Sequence, residues 1–386
     1  MNERHDDVIV IGGGIIGLAS AHSLAEAGAR VRVVERHLPG TGQSTRTGGG
    51  IRLSHGSAMN TALTQASLPT WNRFAERFGV DPGYRETGHL FLTNDGARAR
   101  ALQAQTEWQA GEGVASRILS RAEIGTRWPQ LAGMAFSTGS HCATGGYLDQ
   151  HRVIQGYVRA AEAAGTRILP GARVDALIED NGRIAGVVTP AGHFRADTVV
   201  NAAGPDAGHI AAMAGLDIPF VARRHELLIV RPQRTVPDET PWMIDIDAQV
   251  HLRPDGDGRA LVGGFLGHDE PADPVGWDRT LSRAWADRVR AAAADSFGLV
   301  DPDSPIVEGW AGLYPGTRDY QPVIEVSRPG LVTAAGFSGT GLMHAPAVGM
   351  IVRDLVRAGW TELLDVAPLS ADRFDGTEGV VEHTGF

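Results

Sequence analysis

A two-domain α/β fold is expected from this chain, with a Rossmann-like, mainly parallel sheet and a discontinuous second domain on an antiparallel sheet. Three features of the sequence point to it. Val8–Ile11, the glycines Gly12, Gly14 and Gly17, a helical pattern ending near Gly28, and Val31–Val34 closed by Glu35 form one βαβ unit within the first 36 residues. Between Phe220 and Phe265 short strand-like runs alternate with turns rich in Pro, Asp and Gly. Around Leu331–Ala335 the pattern returns to strand, glycine turn and helix. The first domain is therefore assigned to 1–85, 145–215 and 320–386, and the second to 86–144 and 216–319.

The elements follow in order. Gly12, Gly14 and Gly17 give G-x-G-x-x-G between strand and helix, the context in which this spacing means dinucleotide binding. Gly12 allows the tight turn, Gly14 lets a pyrophosphate approach the backbone, and Gly17 lets helix and strand pack closely. Ile15 and Ile16 open the helix, whose free N–H groups and positive dipole end suit phosphate. Glu35, with Arg36 after it, stands where a carboxylate accepts from a ribose and repels a 2′-phosphate, which disfavours NADP. A loop rich in Gly, Ser and Thr spans His37–Ser54, and a helix is expected over Ala58–Phe78, with Leu63, Leu68, Trp71, Phe74 and Phe78 at core spacing. Next come a strand at His89–Thr93, helices at Gly96–Gly113 and Gln150–Gly165, and strands at Arg173–Glu179 and Arg183–Thr189 about the turn Asp180-Asn181-Gly182. Thr198–Ala202 is a strand running into Ala203-Gly204-Pro205. The second domain supplies strands at Glu226–Val230, Trp242–Ile246, Gln249–Leu252 and Ala260–Gly263, then a helix at Trp277–Phe297 with Trp277, Leu281, Trp285 and Val289 on one face. A last helix is expected from Ala345 to about Arg357, followed by a polar tail over the final dozen residues.

Composition bounds the function. The hydrophobic share of 42% is that of an ordinary globular chain, and a net charge of −10 argues against nucleic acid or anionic membrane as partner. The single cysteine, Cys142, excludes an internal disulfide and a cysteine-based metal site. No other cluster has metal-ligand spacing. The few polar residues before the first strand leave no room for a signal peptide, and no apolar run is long enough to span a bilayer. The expected compartment is the cytoplasm. The chain contains no lysine, so all 35 basic residues are arginine.

Four further segments bear on which dinucleotide binds: Ser44-Thr45-Arg46-Thr47-Gly48-Gly49-Gly50-Ile51-Arg52; Val199-Val200-Asn201-Ala202-Ala203-Gly204-Pro205; Trp310-Ala311-Gly312-Leu313-Tyr314-Pro315-Gly316-Thr317-Arg318-Asp319; and Gly336-Phe337-Ser338-Gly339-Thr340-Gly341-Leu342-Met343-His344-Ala345-Pro346. In the first, the glycines permit close backbone approach and Ser44 and Thr45 offer hydroxyls. In the second, small residues end a strand where a pyrophosphate would cross. In the fourth, a strand-to-helix turn can aim N–H groups at developing negative charge. With the N-terminal motif, these segments resemble the D-amino-acid oxidase superfamily of flavoproteins, in the family's order and over nearly the whole chain. The likeness is greatest to sarcosine oxidases, the β-type sarcosine and proline dehydrogenase subunits, and glycine oxidase.

The resemblance implies FAD on a GR2-type domain. It also implies hydride transfer from the carbon beside an amine nitrogen, and hydrolysis of the resulting imine. The acceptor is dioxygen or another oxidant, and a partner subunit is possible. A 2-hydroxy-acid oxidoreductase and an FAD-carrying subunit of a larger assembly remain open alternatives. Arg173 and Val174 join the expected cofactor contacts on the same ground. The departures are informative. Glycine oxidase carries an arginine where Tyr314 stands. Sarcosine oxidase carries a flavin-linking cysteine where Gly312 stands and a lysine where Met343 stands, and its oxygen-activating lysine cannot exist here. The FAD is thus expected to be noncovalent. Arg52 matches the arginine that anchors a substrate carboxylate, so Arg52, Tyr314 and His225 are the expected substrate residues. His55 and His344 are lesser acid–base candidates, His251 and Arg253 alternate on one strand, and Arg223, Arg224 and Arg318 are alternative anchors.

Overall fold

The computed structural model describes residues 5–266 and 271–375. Its first sheet is organised around β1 (Asp6–Ile11), which pairs in parallel with β2 (Val31–Val34) on one side and with Gly192–Asn201 on the other. The main path runs Val323–Arg328, Leu331–Ala335, Gly192–Asn201, β1, β2, Arg167–Leu169, its first pair antiparallel and the others parallel; off this path Arg183–Thr189 pairs antiparallel with both Gly192–Asn201 and Ala176–Asp180. Ile11 stands opposite both Asn201 and Val34, so three strands end together where the order reverses about β1. In a sheet of this kind, that edge is where ligands bind. Helix α1 (Ile15–Glu26) is buried along nearly its whole length and crosses the Gly341–Ala358 helix. The crossing is close because Gly349 has no side chain: a Cβ there would lie 2.6 Å from the Ala19 carbonyl.

The second sheet runs Ile306–Gly316, Val221–Val230, Ala260–Gly264, Val250–Pro254, Trp242–Asp245, His89–Thr93, Thr138–Cys142, Ser116–Ser120. It is antiparallel except that Trp242–Asp245 and His89–Thr93, which belong to different insertions, pair in parallel. The Arg283–Phe297 helix packs Trp285, Val289 and Phe297 on it. A short ladder between β3 (Gly50–Arg52) and Gly145–Tyr147 lies outside both sheets.

Several expected boundaries are corrected. The Ala58–Phe78 helix is two helices, Ala58–Asn72 and Phe74–Phe78, broken at Arg73, whose φ of −117° and ψ of 20° leave the helical range. The helix expected from Trp277 starts at Arg283, because the Ser282 hydroxyl accepts from the Trp285 N–H and caps it. Trp277 and Leu281 precede it. The strand expected from Arg173 begins at Ala176, and the last helix begins at Gly341, four residues early. Ser116–Ser120, Thr138–Cys142 and Ile306–Gly316 are strands that were not expected. The C-terminal tail, from 376 on, lies outside the described residues.

Candidate active site

A cavity of about 1240 Å³ opens at the carboxyl edge of the first sheet. Gly12, at φ +107°, turns the chain so tightly that a Cβ would lie 2.4 Å from the Ala202 carbonyl. Gly17 faces the Gly12 carbonyl, where a Cβ would stand at 1.9 Å, so it packs the turn and does not line the cavity. Gly14, Ile15 and Ile16 line it, and so do Ala202, Ala203 and Gly204 across the strand ends. Gly341 and Leu342 bring a second helix N-terminus to the same space, where the first intrahelical bond is that of the His344 N–H to Thr340. Earlier N–H groups of that turn are open to a ligand. Glu35 accepts from the Gly13 N–H at 2.7 Å and the His37 N–H at 2.8 Å, so its carboxylate is aimed before anything binds. Arg36 and Arg173, with Val174, form the wall beyond it. Two helix N-termini, side-chain-free backbone and an oriented carboxylate suit a dinucleotide.

The second expected loop behaves differently from its sequence reading. Ser44 lines the cavity, but its Oγ accepts the Ile15 N–H at 2.9 Å and so caps α1. The Thr45 hydroxyl donates to Gly40 at 2.7 Å. Gly48 and Gly50 do not line the cavity: a Cβ on them would meet the Trp242 ring at 2.7 and 2.9 Å. Gly49, at φ +78°, faces the Leu148 carbonyl. These glycines admit the indole of a second-sheet strand. Arg253 completes the clamp, its Nε donating to Gly48 at 2.9 Å while its guanidinium lies 5.6 Å from the Trp242 ring. Thus Arg253 serves the loop, unlike its strand neighbour His251. Ile51 is fully buried, Thr340 bonds Phe337, and Met343 accepts from Trp71 Nε1; none of the three lines the cavity.

The three expected substrate residues form one neighbourhood. Gly312, Tyr314, Gly336, Phe337 and Gly339 line the cavity. Gly339, at φ +89°, lies flat under Tyr314, where a Cβ would touch the ring at 2.7 Å. The Tyr314 and His225 rings are 4.3 Å apart, and His225 also meets Phe265. Desolvation raises the Tyr314 phenol pKa while the Arg52 charge pulls it down. Arg52 itself is only 5% exposed, 5.7 Å over the Phe91 ring. Arg52 and His225 stand behind the cavity wall rather than in its lining. His251 is held neutral, its pKa lowered to about 3 by desolvation, then by Arg253, His225 and Arg52. Trp242 Nε1 donates to His251 Nδ1 at 3.3 Å, which leaves the proton on Nε2. His89, stacked on Trp242 at 5.6 Å, is likewise neutral through burial and the Arg52 charge. The result is a fixed guanidinium among uncharged imidazoles.

His55 bonds Thr64 at 3.1 Å and lies 5.5 Å from His344, away from the cavity lining. Arg224 is spent on Glu226, Asp278 and Thr280; Arg318 donates to Phe374; Arg223 lies over Tyr320. Trp242, His89, Trp277 and Arg279 were missed, since no spacing in the sequence marks them. No group among the described residues could hold a metal ion, and no helix among them is long and apolar enough to cross a membrane.

Comparison with known proteins agrees with this geometry. The glycine oxidase of Geobacillus kaustophilus is 26% identical over 98% of this chain and all of its own. That of Pseudomonas putida is 28% identical over 95% of this chain and 98% of its own. The crystal structure of L-proline dehydrogenase from P. horikoshii superposes with a TM-score of 0.88 at 28% identity, covering 96% of this chain and 98% of that one. The family described as DAO, FAD dependent oxidoreductase, matches residues 7–355. With the nucleotide turn, the paired helix N-termini and the second sheet in place, the chain belongs to the DAO family of FAD-dependent oxidoreductases.

Proposed function

We propose that this enzyme, an FAD-dependent oxidoreductase acting on amino acids or amines, oxidises the C–N bond of an amino acid or N-substituted amino acid bearing a carboxylate. The residues fit the cofactor: Gly12, Gly14 and Gly204 leave backbone exposed, Glu35 is oriented for a ribose, and two helix N-termini face the phosphates and the ring. When bound, FAD supplies the acceptor for the hydride that leaves the carbon beside nitrogen. The nitrogen loses a proton, and water adds to the imine to give a carbonyl compound and an amine. In this reading the domain expected over 1–85, 145–215 and 320–386 holds the cofactor, and the one expected over 86–144 and 216–319 roofs the reacting atoms. No cysteine lies in the lining, and Cys142 is buried with its Sγ on the Thr144 carbonyl. That excludes a cysteinyl link, and we infer that FAD is held without a covalent bond: acid precipitation should leave all of it in the yellow supernatant. Flavin in the pellet would overturn that.

The observation that carries the substrate reading is the buried Arg52 guanidinium acting on Tyr314, the residue that reaches the cavity. A substrate carboxylate would accept from the Tyr314 hydroxyl there, with the Arg52 charge behind it. His251 and His89 around it are neutral and add no charge of their own. Arg52→Met should cost about 2–5 kcal/mol in kcat/KM for carboxylated amines and little for a neutral amine analogue. Equal turnover of carboxylated substrates by both proteins would place the anchor elsewhere. Anaerobic mixing separates the substrate classes: bleaching by amino acids supports the reading, and bleaching by 2-hydroxy acids alone refutes it.

A further inference from the structure

Four arginines line the cavity: Arg36, Arg46, Arg173 and Arg279. The chain neutralises two of them. Arg36 pairs with Asp206 through two bonds of 3.0 and 2.6 Å, and Arg173 donates to Asp175 at 2.8 Å. Arg46 and Arg279 have no carboxylate partner among the described residues. They meet over one indole, their guanidinium carbons 5.9 and 5.6 Å from the Trp277 ring centroid. One backbone unit ties both: Arg46 Nη1 donates to the Ala311 carbonyl at 3.0 Å, and the Ala311 N–H donates to the Arg279 carbonyl at 3.3 Å. Burial and the Arg279 charge together hold the Arg46 pKa below its ordinary value. Two like charges on one wall repel, and an anion beside them relieves the repulsion.

Their place within the cavity narrows what that anion is. Ala311 adjoins Gly312, whose register partner is His225, and Gly312 lies two residues from Tyr314. At roughly 3.3 Å per residue, Ala311, three residues from Tyr314, puts the pair about 10 Å along the strand from the residue that faces substrate. Val275, 64% exposed, lines the same end and leaves it open to solvent.

We propose that Arg46 and Arg279 form a second anion subsite in the cavity, one that takes a carboxylate or phosphate group carried by the substrate or by the electron acceptor. Only the identity of those two molecules rests on the oxidoreductase reading; the subsite itself does not. Both guanidiniums donate to the acid group, and the Trp277 face packs against the carbon skeleton that bears it.

The test uses the FAD-loaded enzyme and inorganic pyrophosphate, with binding followed by calorimetry and by tryptophan fluorescence. Wild type should bind saturably, and Arg279→Gln should weaken binding by about tenfold or more, with Arg279→Lys in between. Arg279 is an exposed loop residue, so the thermal melts of these variants should match wild type. Steady-state kinetics then assigns the source. A raised KM for substrate at fixed acceptor means a second acid group on the substrate, and a raised KM for acceptor at fixed substrate means an anionic acceptor. Equal pyrophosphate binding by wild type and Arg279→Gln overturns the proposal. So does a loss of FAD affinity in Arg279→Gln without change in either KM, which would assign the pair to the cofactor's own phosphates. Pyrophosphate binding needs no turnover, so it can stand even where no amine bleaches the flavin.

Discussion

At the scale of single residues, polar groups are committed to the chain before any ligand arrives. Ser44 caps α1, Thr45 bonds Gly40, and Arg253 holds Gly48. Glu35 differs in degree: its two N–H donors orient the carboxylate but leave it on the cavity wall. Removing it unpins the Gly13 amide and deletes a charge-assisted acceptor worth roughly 1.5–3 kcal/mol. Glu35→Ala should therefore lose FAD affinity by about tenfold or more, read as the flavin retained after dialysis. Retention equal to wild type would remove Glu35 from the ribose. The residue types at the turn were legible because each has a steric cause within a few positions. Arg52, Tyr314 and His225 were legible only through resemblance, and their company was not. Trp242, His89 and His251 come together because three strands from two insertions lie side by side, which no local spacing announces.

At the scale of elements, the Gly48–Gly50 loop is shaped by its neighbour as much as by a cofactor. The Trp242 indole occupies the space that side chains at 48 and 50 would need. Gly48→Ala pushes that ring from His251 and should destabilise by about 1–3 kcal/mol, through overpacking, with a parallel fall in FAD content. Urea unfolding measures the first and flavin absorbance the second; a variant unchanged in both would mean the indole yields freely. The same view explains which elements could be read. β1, α1 and β2 carry strong periodic patterns within one short unit. Thr138–Cys142 reads Thr-Gly-Ser-His-Cys, buried yet with no apolar alternation, and Ile306–Gly316 contains Gly309, Gly312 and Pro315, which read as turn residues. Trp277 and Leu281 fit the helical spacing of Trp285 and Val289, and only the Ser282 cap distinguishes loop from helix.

At the scale of the whole molecule, the second sheet buries histidines in uncharged form. His251 and His141 are pushed to about 3 and about 4 from 6.5, in each case first by burial, and then by arginines nearby. Between those values and 6.5 the unfolded chain binds more protons than the folded one, so stability rises with pH across that window and falls on acidification. The urea midpoint should drop from pH 6.5 to 5, above the range where carboxylates titrate, and His141→Asn should flatten the slope. A midpoint constant over that interval would mean ordinary histidines. The close crossing at Ala19 and Gly349 has a consequence in time. It joins a helix beginning at residue 15 to one beginning at 341, and both N-termini face one cavity. At roughly 5–20 residues per second, a ribosome takes on the order of 16–65 s to make the chain between them. The first glycine turn emerges long before its opposite wall exists, so flavin enters only when synthesis has passed that last helix.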